Sequence, residues 1–270
     1  SYPDMVLLAG GKPKIIKCME SDGFKLTPKK LKKAISKKTK WLILNSPSNP
    51  TGAGYTKDEI EELSKILIKN KKIHILSDDI YEHIRYDNFN FFTIAQISKL
   101  KERTLALNGV SKSYAMTGWR IGYAAGPKEL IKAMGKVQSQ STSNTSSISQ
   151  AAAVEALNGN QDFISERSNA FKKRRDFVVS SLNSIKGLSC VKPNGAFYVF
   201  PNCKKLLNKK TKLKTDADFV EQLLIKANVA VVQGSAFGLD GYFRISYATS
   251  MEKLKVAMDR IKTFCENLNN

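Results

Sequence analysis

Gly109-Val-Ser-Lys112-Ser-Tyr-Ala-Met-Thr-Gly118-Trp-Arg120-Ile-Gly122 sets one lysine in a turn between small residues, with an arginine eight positions later before another glycine. A strand-like run, Leu105–Val110, leads into that turn. Working backward, Trp41–Asn45 has the apolar content of a short buried strand, and Ile73–Leu76 is another, ending at Ser77-Asp78-Asp79. Between them Thr56-Lys-Asp-Glu59 has the form of a capping box, and Ile60, Leu63 and Leu67 recur at helical spacing. Strand, helix and strand joined by short connections predict parallel pairing, hence an α/β sheet. Ligand groups gather beyond the carboxyl ends of strands in such sheets. Asn45–Gly52, Asp78 and Lys112 all fall there.

The second half reads differently. Ile164, Phe171, Val178, Leu182 and Ile185 share one face of a long helix expected over 162–185. Strands are expected at Ala196–Phe200, Val229–Val232 and Phe243–Ser246, and an amphipathic helix around Phe219, Val220, Leu223 and Leu224. A last helix carries Met251, Leu254, Met258, Ile261, Cys265 and Leu268 on one stripe. This predicts a smaller α+β domain over 166–270, following a larger α/β domain over 1–165. A run at Met5–Leu8 also has strand character, and Lys204–Lys214 has the polarity of a solvated loop.

Composition narrows the function classes. The chain has 270 residues, 42% of them hydrophobic, enough for one large or two modest cores. Its apolar runs are too short to span a membrane, and Ser1-Tyr-Pro-Asp-Met has neither region of a signal peptide. Cys18, Cys190, Cys203 and Cys265 are scattered, with only His74 and His83 beside them, which disfavours a metal site or a disulfide framework. Reduced thiols in a cytoplasmic protein are the expectation. Net charge is +20, but 8 of the 44 basic residues are Arg, leaving 36 Lys spread along the chain. Without arginine clusters, sequence-specific nucleic-acid binding is not expected, and acidic small substrates suit the charge equally well.

Four pieces carry the chemistry. A lysine that forms an imine needs a tight turn to aim it, and the small residues at 109 and 111 permit one. Arg120 offers a fork of donors suited to a phosphate dianion, and Ser111 can add a hydroxyl, although a plain turn serine would look the same. An imine lysine beside a phosphate anchor is what pyridoxal phosphate asks of a protein. Asp78-Asp-Ile-Tyr81 supplies a carboxylate at a strand end that could keep a pyridine nitrogen protonated, with Asp78 favoured over Asp79 because three positions separate it from Tyr81. An acidic pair capping a helix is the alternative. Asn45-Ser-Pro-Ser-Asn49-Pro-Thr-Gly52 is a stiff extended loop whose Asn49 could donate to a phenolate oxygen. Arg244 sits in an otherwise apolar strand, so it has either an acidic partner or an anionic ligand.

Taken together, Asn49-Pro-Thr-Gly52, Asp78-x-x-Tyr81, Ser111-Lys112…Arg120-x-Gly122 and Arg244-x-Ser246 resemble the class I aminotransferases of pyridoxal phosphate fold type I. The fuller wording is most similar to the bacterial aspartate aminotransferase subgroup, some members of which also transaminate prephenate. The resemblance covers essentially the whole chain. It implies a mostly parallel sheet flanked by helices, incomplete here, plus the smaller C-terminal domain. By position it makes Lys112 the imine lysine and proton carrier, and Asp78 the partner of the pyridine nitrogen. Tyr81 and Asn49 fall to the phenolic oxygen, and Arg120 with Ser111 to the phosphate. Arg244, with Asn49 beside it, is assigned to the substrate carboxylate.

The resemblance further implies a cytoplasmic homodimer acting on amino acids and 2-oxo acids, most simply L-aspartate plus 2-oxoglutarate by a ping-pong mechanism. Rivals on the same fold are an aromatic or prephenate aminotransferase and a β-lyase. A rival of another class is an inactive fragment or basic binding scaffold. Two departures stand out. Position 79 is Asp where the family usually has Glu. A long segment that the family carries ahead of Ser1 is absent, including a glycine-rich phosphate loop, the ring that stacks on the cofactor, and part of the substrate and dimer surface. The chain is therefore expected to be a piece of a longer protein. No arginine in 136–150 serves a second carboxylate, so side-chain specificity is not legible.

Overall fold

Four strands in the order β1-β2-β3-β4 form the sheet that positions the site: Trp41–Asn45, His74–Asp78, Thr104–Gly109 and Gly122–Ala125. This is a computed structural model, and it describes residues 1–208, 210–211 and 213–269. The first three strands run parallel, as expected, with Asn45 opposite Asp78 and Asp78 opposite Leu107. The fourth is antiparallel to β3, with Gly122 opposite Gly109, so the lysine turn is the connection of a long hairpin. Gly109 is needed for that closure. A Cβ on Gly109 would lie 2.9 Å from the Ile121 carbonyl oxygen and 3.2 Å from the Gly122 Cα.

Helix α3, Lys57–Lys69, starts at the expected capping box: Thr56 Oγ1 accepts from the Glu59 amide and Glu59 returns the bond to the Thr56 amide at 2.8 Å. Its Ile60, Leu63 and Leu67 are buried with Leu44 of β1, Ile75 of β2 and Leu31 of α2, Pro28–Ala34. These residues make the core beneath the first sheet.

A second cluster is built from α6 (Asp162–Asn183), α7 (Asp216–Ala227) and α8 (Met251–Asn269) around a small antiparallel sheet. That sheet has the order β5-β7-β6, with β5 Tyr198–Val199, β6 Val232–Gln233 and β7 Phe243–Ser246. Val178, Leu182 and Ile185 are buried there as the helical stripe predicted, joined by Leu254, Met258, Ile261 and Cys265 of α8. Tyr81, Ile84 and Tyr86, from the segment after β2, pack into the same cluster. Arg175 of α6 is fully buried in it, donating to Asp176 and to the Pro193 carbonyl, pairing with Asp87, and lying over the Tyr86 ring.

Several expectations are corrected. Met5–Leu8 belongs to helix α1, Tyr2–Leu8, not to a strand; Pro3 fits its first turn and Gly10, at φ +72°, follows its end. Four apolar residues in a row do not distinguish the two states. The strand expected at Val229–Val232 starts at Val232, because Asn228 caps α7 in the left-handed region and the chain must first turn outward. Within 204–214, Leu206 and Leu213 are buried rather than solvated, and the part of that loop at positions 209 and 212 lies outside the described residues. Helices α4 (Lys128–Ser141) and α5 (Ser147–Asn158) were not foreseen. They leave Met134, Val137, Ile148, Val154 and Leu157 exposed.

Candidate active site

Asn45 and Asp78 stand side by side at the carboxyl ends of β1 and β2, and the Asn45 side-chain amide donates to the Asp78 carbonyl at 2.9 Å. From there the chain leaves β1 through Asn49 to Gly52. Gly52, at φ +66°, presents its carbonyl to the amides of Asn194 and Gly195, both at 3.0 Å. A Cβ on Gly52 would meet Pro193 Cβ at 2.4 Å, so only glycine allows the loop to seat on the C-terminal half.

The Asp78 carboxylate is held from two sides. Tyr2 donates its hydroxyl to Oδ2, and the Ile80 amide donates to Oδ1 at 3.3 Å. Burial, followed by the charge and hydrogen bond of Asp78, raises the Tyr2 hydroxyl well above its usual range, so it remains a donor. Tyr2 was missed in the sequence because it lies 76 positions from its partner. Asp79, by contrast, turns into the core and accepts from Ser77 Oγ at 2.7 Å, with Thr93 Oγ1 3.3 Å beyond.

Burial pushes the Asp79 carboxyl up to about 6, opposed by the Ser77 and Thr93 hydrogen bonds and reinforced by Glu82 and Asp78. A carboxyl raised on folding contributes stability that is complete below its ordinary value of 3.8 and is lost as pH rises through about 6. Asp79→Asn should therefore gain stability relative to the parent between pH 4 and pH 8, by at most about 3 kcal/mol. Urea unfolding at pH 4, 6 and 8 checks this; parallel stability curves for the two proteins would refute it.

Lys112 lies in the loop after β3, half-buried, its Nζ 6.0 Å from the Tyr81 ring centroid and 5.9 Å from that of Phe197. Among the described residues no carboxylate pairs with it. The loop is closed by the Thr117 hydroxyl donating to the Ser111 carbonyl at 3.1 Å and by the Ala115 amide donating to the Lys112 carbonyl at 3.2 Å. Arg120 follows in the left-handed region at φ 56°, exposed, with Nη1 donating to the Thr117 carbonyl at 2.8 Å. Ser111 and Arg120 thus share one loop, but no contact joins the guanidinium to the serine side chain.

Arg244 stands on β7. Its guanidinium lies 4.6 Å over the Tyr198 ring and 5.1 Å over the Phe237 ring, and Nη1 donates to Asn49 Oδ1 at 2.8 Å. No acidic side chain pairs with it among the described residues, and its buried Nε has no hydrogen-bond partner. A buried guanidinium donor without an acceptor is costly unless a ligand supplies one. Tyr81 completes the group: its hydroxyl is 3.1 Å from that of Tyr198. Desolvation, then the hydrogen bond with Tyr198, raise it far above the ordinary phenol range.

A half-buried amine with no acid partner, a braced carboxylate at a strand end and an arginine with an orphaned donor suit an imine-forming, anionic cofactor and a carboxylate substrate. The sequence profile described as aminotransferase class I and II matches residues 1–261, and the chain belongs to that family. Its fold is that of the pyridoxal phosphate transferases, with part of the large domain present. The aspartate aminotransferase of Rhizobium meliloti (strain 1021) is 56% identical over 274 residues, covering 100% of this chain and 67% of that protein. A probable aspartate/prephenate aminotransferase of Rickettsia typhi is 56% identical, covering 99% and 68%. The crystal structure of the Rhizobium meliloti aspartate aminotransferase superposes with a TM-score of 0.95, covering 98% of this chain and 68% of that one. That of the Thermus thermophilus aspartate aminotransferase with maleate is 40% identical with a TM-score of 0.90, covering 97% and 66%. This chain thus spans about two thirds of the length of these relatives.

Proposed function

We propose that the chain carries the greater part of the active site of an aspartate aminotransferase, converting L-aspartate and 2-oxoglutarate to oxaloacetate and L-glutamate through Lys112. The orphaned donor of Arg244, together with a Lys112 that no carboxylate pairs among the described residues, is the observation that carries this reading. The residues fit the cofactor: Lys112 would hold its aldehyde carbon, Asp78 its ring nitrogen, Tyr81 and Asn49 its phenolic oxygen, and Ser111 with Arg120 its phosphate. Pyridoxal phosphate, when bound, supplies the electron sink that makes the substrate Cα proton removable.

The chain's own residues do the rest. Arg244 binds the substrate α-carboxylate with two donors, and Asn49, already on its Nη1, turns with it. Lys112 Nζ would accept the substrate Cα proton and carry it to the carbon on the far side of the substrate nitrogen. Asp78 keeps the ring nitrogen protonated, and the Tyr2 hydroxyl holds that carboxylate in position. The apolar rings of Tyr81 and Phe197 exclude water around the amine.

The same proposal includes a cytoplasmic homodimer, supported by the exposed apolar side chains of α4 and α5, and a division into 1–165 and 166–270, supported by the two separate sheets. No helix of the described residues is long and apolar enough to cross a membrane. The Rickettsia typhi relative keeps prephenate as a second amino acceptor to examine. Incubating the full-length protein with aspartate and 2-oxoglutarate should yield oxaloacetate and glutamate; pyruvate with ammonia instead would point to β-elimination, and a strong preference for prephenate to the second reading.

A further inference from the structure

We infer that Tyr198 is a positioning residue that joins the two ends of the proposed site, its hydroxyl supporting Tyr81 and its ring seating the guanidinium of Arg244. The inference rests on the proposed function, in which Tyr81 faces the cofactor's phenolic oxygen and Arg244 the substrate carboxylate.

Tyr198 occupies the first position of β5, opposite Ser246 of β7, and Arg244 lies two residues earlier on that same partner strand. The phenol ring is buried, with its centroid 4.6 Å from the Arg244 Cζ. Phe237 covers the guanidinium at 5.1 Å, so the arginine is held between aromatic rings while its polar edge remains open. Flat aromatic surfaces attract guanidinium without consuming its donors. That explains how a charge without an acidic partner stays in place with Nε still uncommitted.

The hydroxyl acts at the other end. It lies 3.1 Å from the Tyr81 hydroxyl, and either oxygen can be the donor. When the Tyr81 hydroxyl donates a hydrogen bond to an anionic oxygen, its own oxygen is left to accept from Tyr198. Hydroxyls linked in this way polarise one another, so the first donor becomes stronger. Phe197, the preceding residue, faces Lys112 and packs edge-on against Tyr81 at 5.5 Å. Adjacent side chains, Phe197 just before β5 and Tyr198 at its start, therefore touch the lysine side and the carboxylate side separately.

A purely structural tyrosine would lose packing and polarity together, whereas a positioning residue with two functions should show them separately. The test uses the full-length protein loaded with pyridoxal phosphate, and reads the pH midpoint of its visible absorbance band and the dissociation constant of maleate. Tyr198→Phe keeps the ring and removes the hydroxyl. Weaker donation from Tyr81 should raise the midpoint by about 0.5 unit and change maleate binding by less than about twofold. Tyr198→Leu removes both, and should also weaken maleate roughly fivefold to thirtyfold. An unmoved midpoint in Tyr198→Phe, or equal loss of maleate binding in both variants, overturns the inference. If Tyr198→Leu does not fold by circular dichroism, the midpoint of Tyr198→Phe decides alone. A parent protein with no visible band, or one whose band survives in Lys112→Ala, overturns the functional reading itself.

Discussion

Replacing Lys112 with Ala is expected to lower transamination by at least roughly 10⁴-fold, since in the proposed function one amine would both anchor the cofactor and carry the proton. Lys112 Nζ reaches the Tyr81 and Phe197 rings from a loop closed by its own hydrogen bonds. Stability should change little, as this half-buried side chain forms no ion pair among the described residues. The checks are steady-state rates and borohydride reduction followed by peptide mapping. Activity within tenfold of the parent, or a label on another peptide, defeats the assignment.

Asp78→Asn is expected to lower kcat by about 10²- to 10³-fold, the loss that follows when one partner of a buried ion pair is removed. Asparagine keeps the shape and can still accept from Ile80, but it cannot hold a proton on a ring nitrogen by charge. Tyr2→Phe should give a smaller loss in the same direction, roughly tenfold, because it removes one charge-assisted hydrogen bond from that carboxylate. A double variant no slower than Asp78→Asn alone would place both residues in one unit. Additive losses would show that Tyr2 acts elsewhere.

Much of this arrangement was legible in the sequence because it is local. Asp78 and Tyr81 lie within one turn after a strand, Ser111, Lys112 and Arg120 within one loop, and the Thr56–Glu59 cap within one helix start. The parallel order of β1, β2 and β3 followed from the spacing of apolar runs. What escaped was long-range. Tyr2 reaches Asp78 across 76 positions, and Tyr198 reaches Tyr81 across 117, and neither segment's composition marks such a partner. The antiparallel β4 was hidden because Gly122-Tyr-Ala-Ala125 is mostly exposed and carries no alternating pattern. Helix α4 carries a stripe of Leu130, Met134 and Val137 that was overlooked, whereas the apolar residues of α5 are spread around its circumference and leave no stripe for periodicity to find. Arg244 was identified as needing an anion, and the absence of an acidic neighbour among the described residues is what turned that alternative toward a ligand.

The neighbour of Asp78 has a bearing on how enzyme kinetics would be interpreted. Asp79 ionises near 6 yet touches no proposed ligand, and its charge lies one residue from the carboxylate that does. An acidic limb in a rate profile would thus contain a structural titration superimposed on any true reacting group. Fitting that limb to a single ionisation would credit a buried structural carboxyl with catalysis.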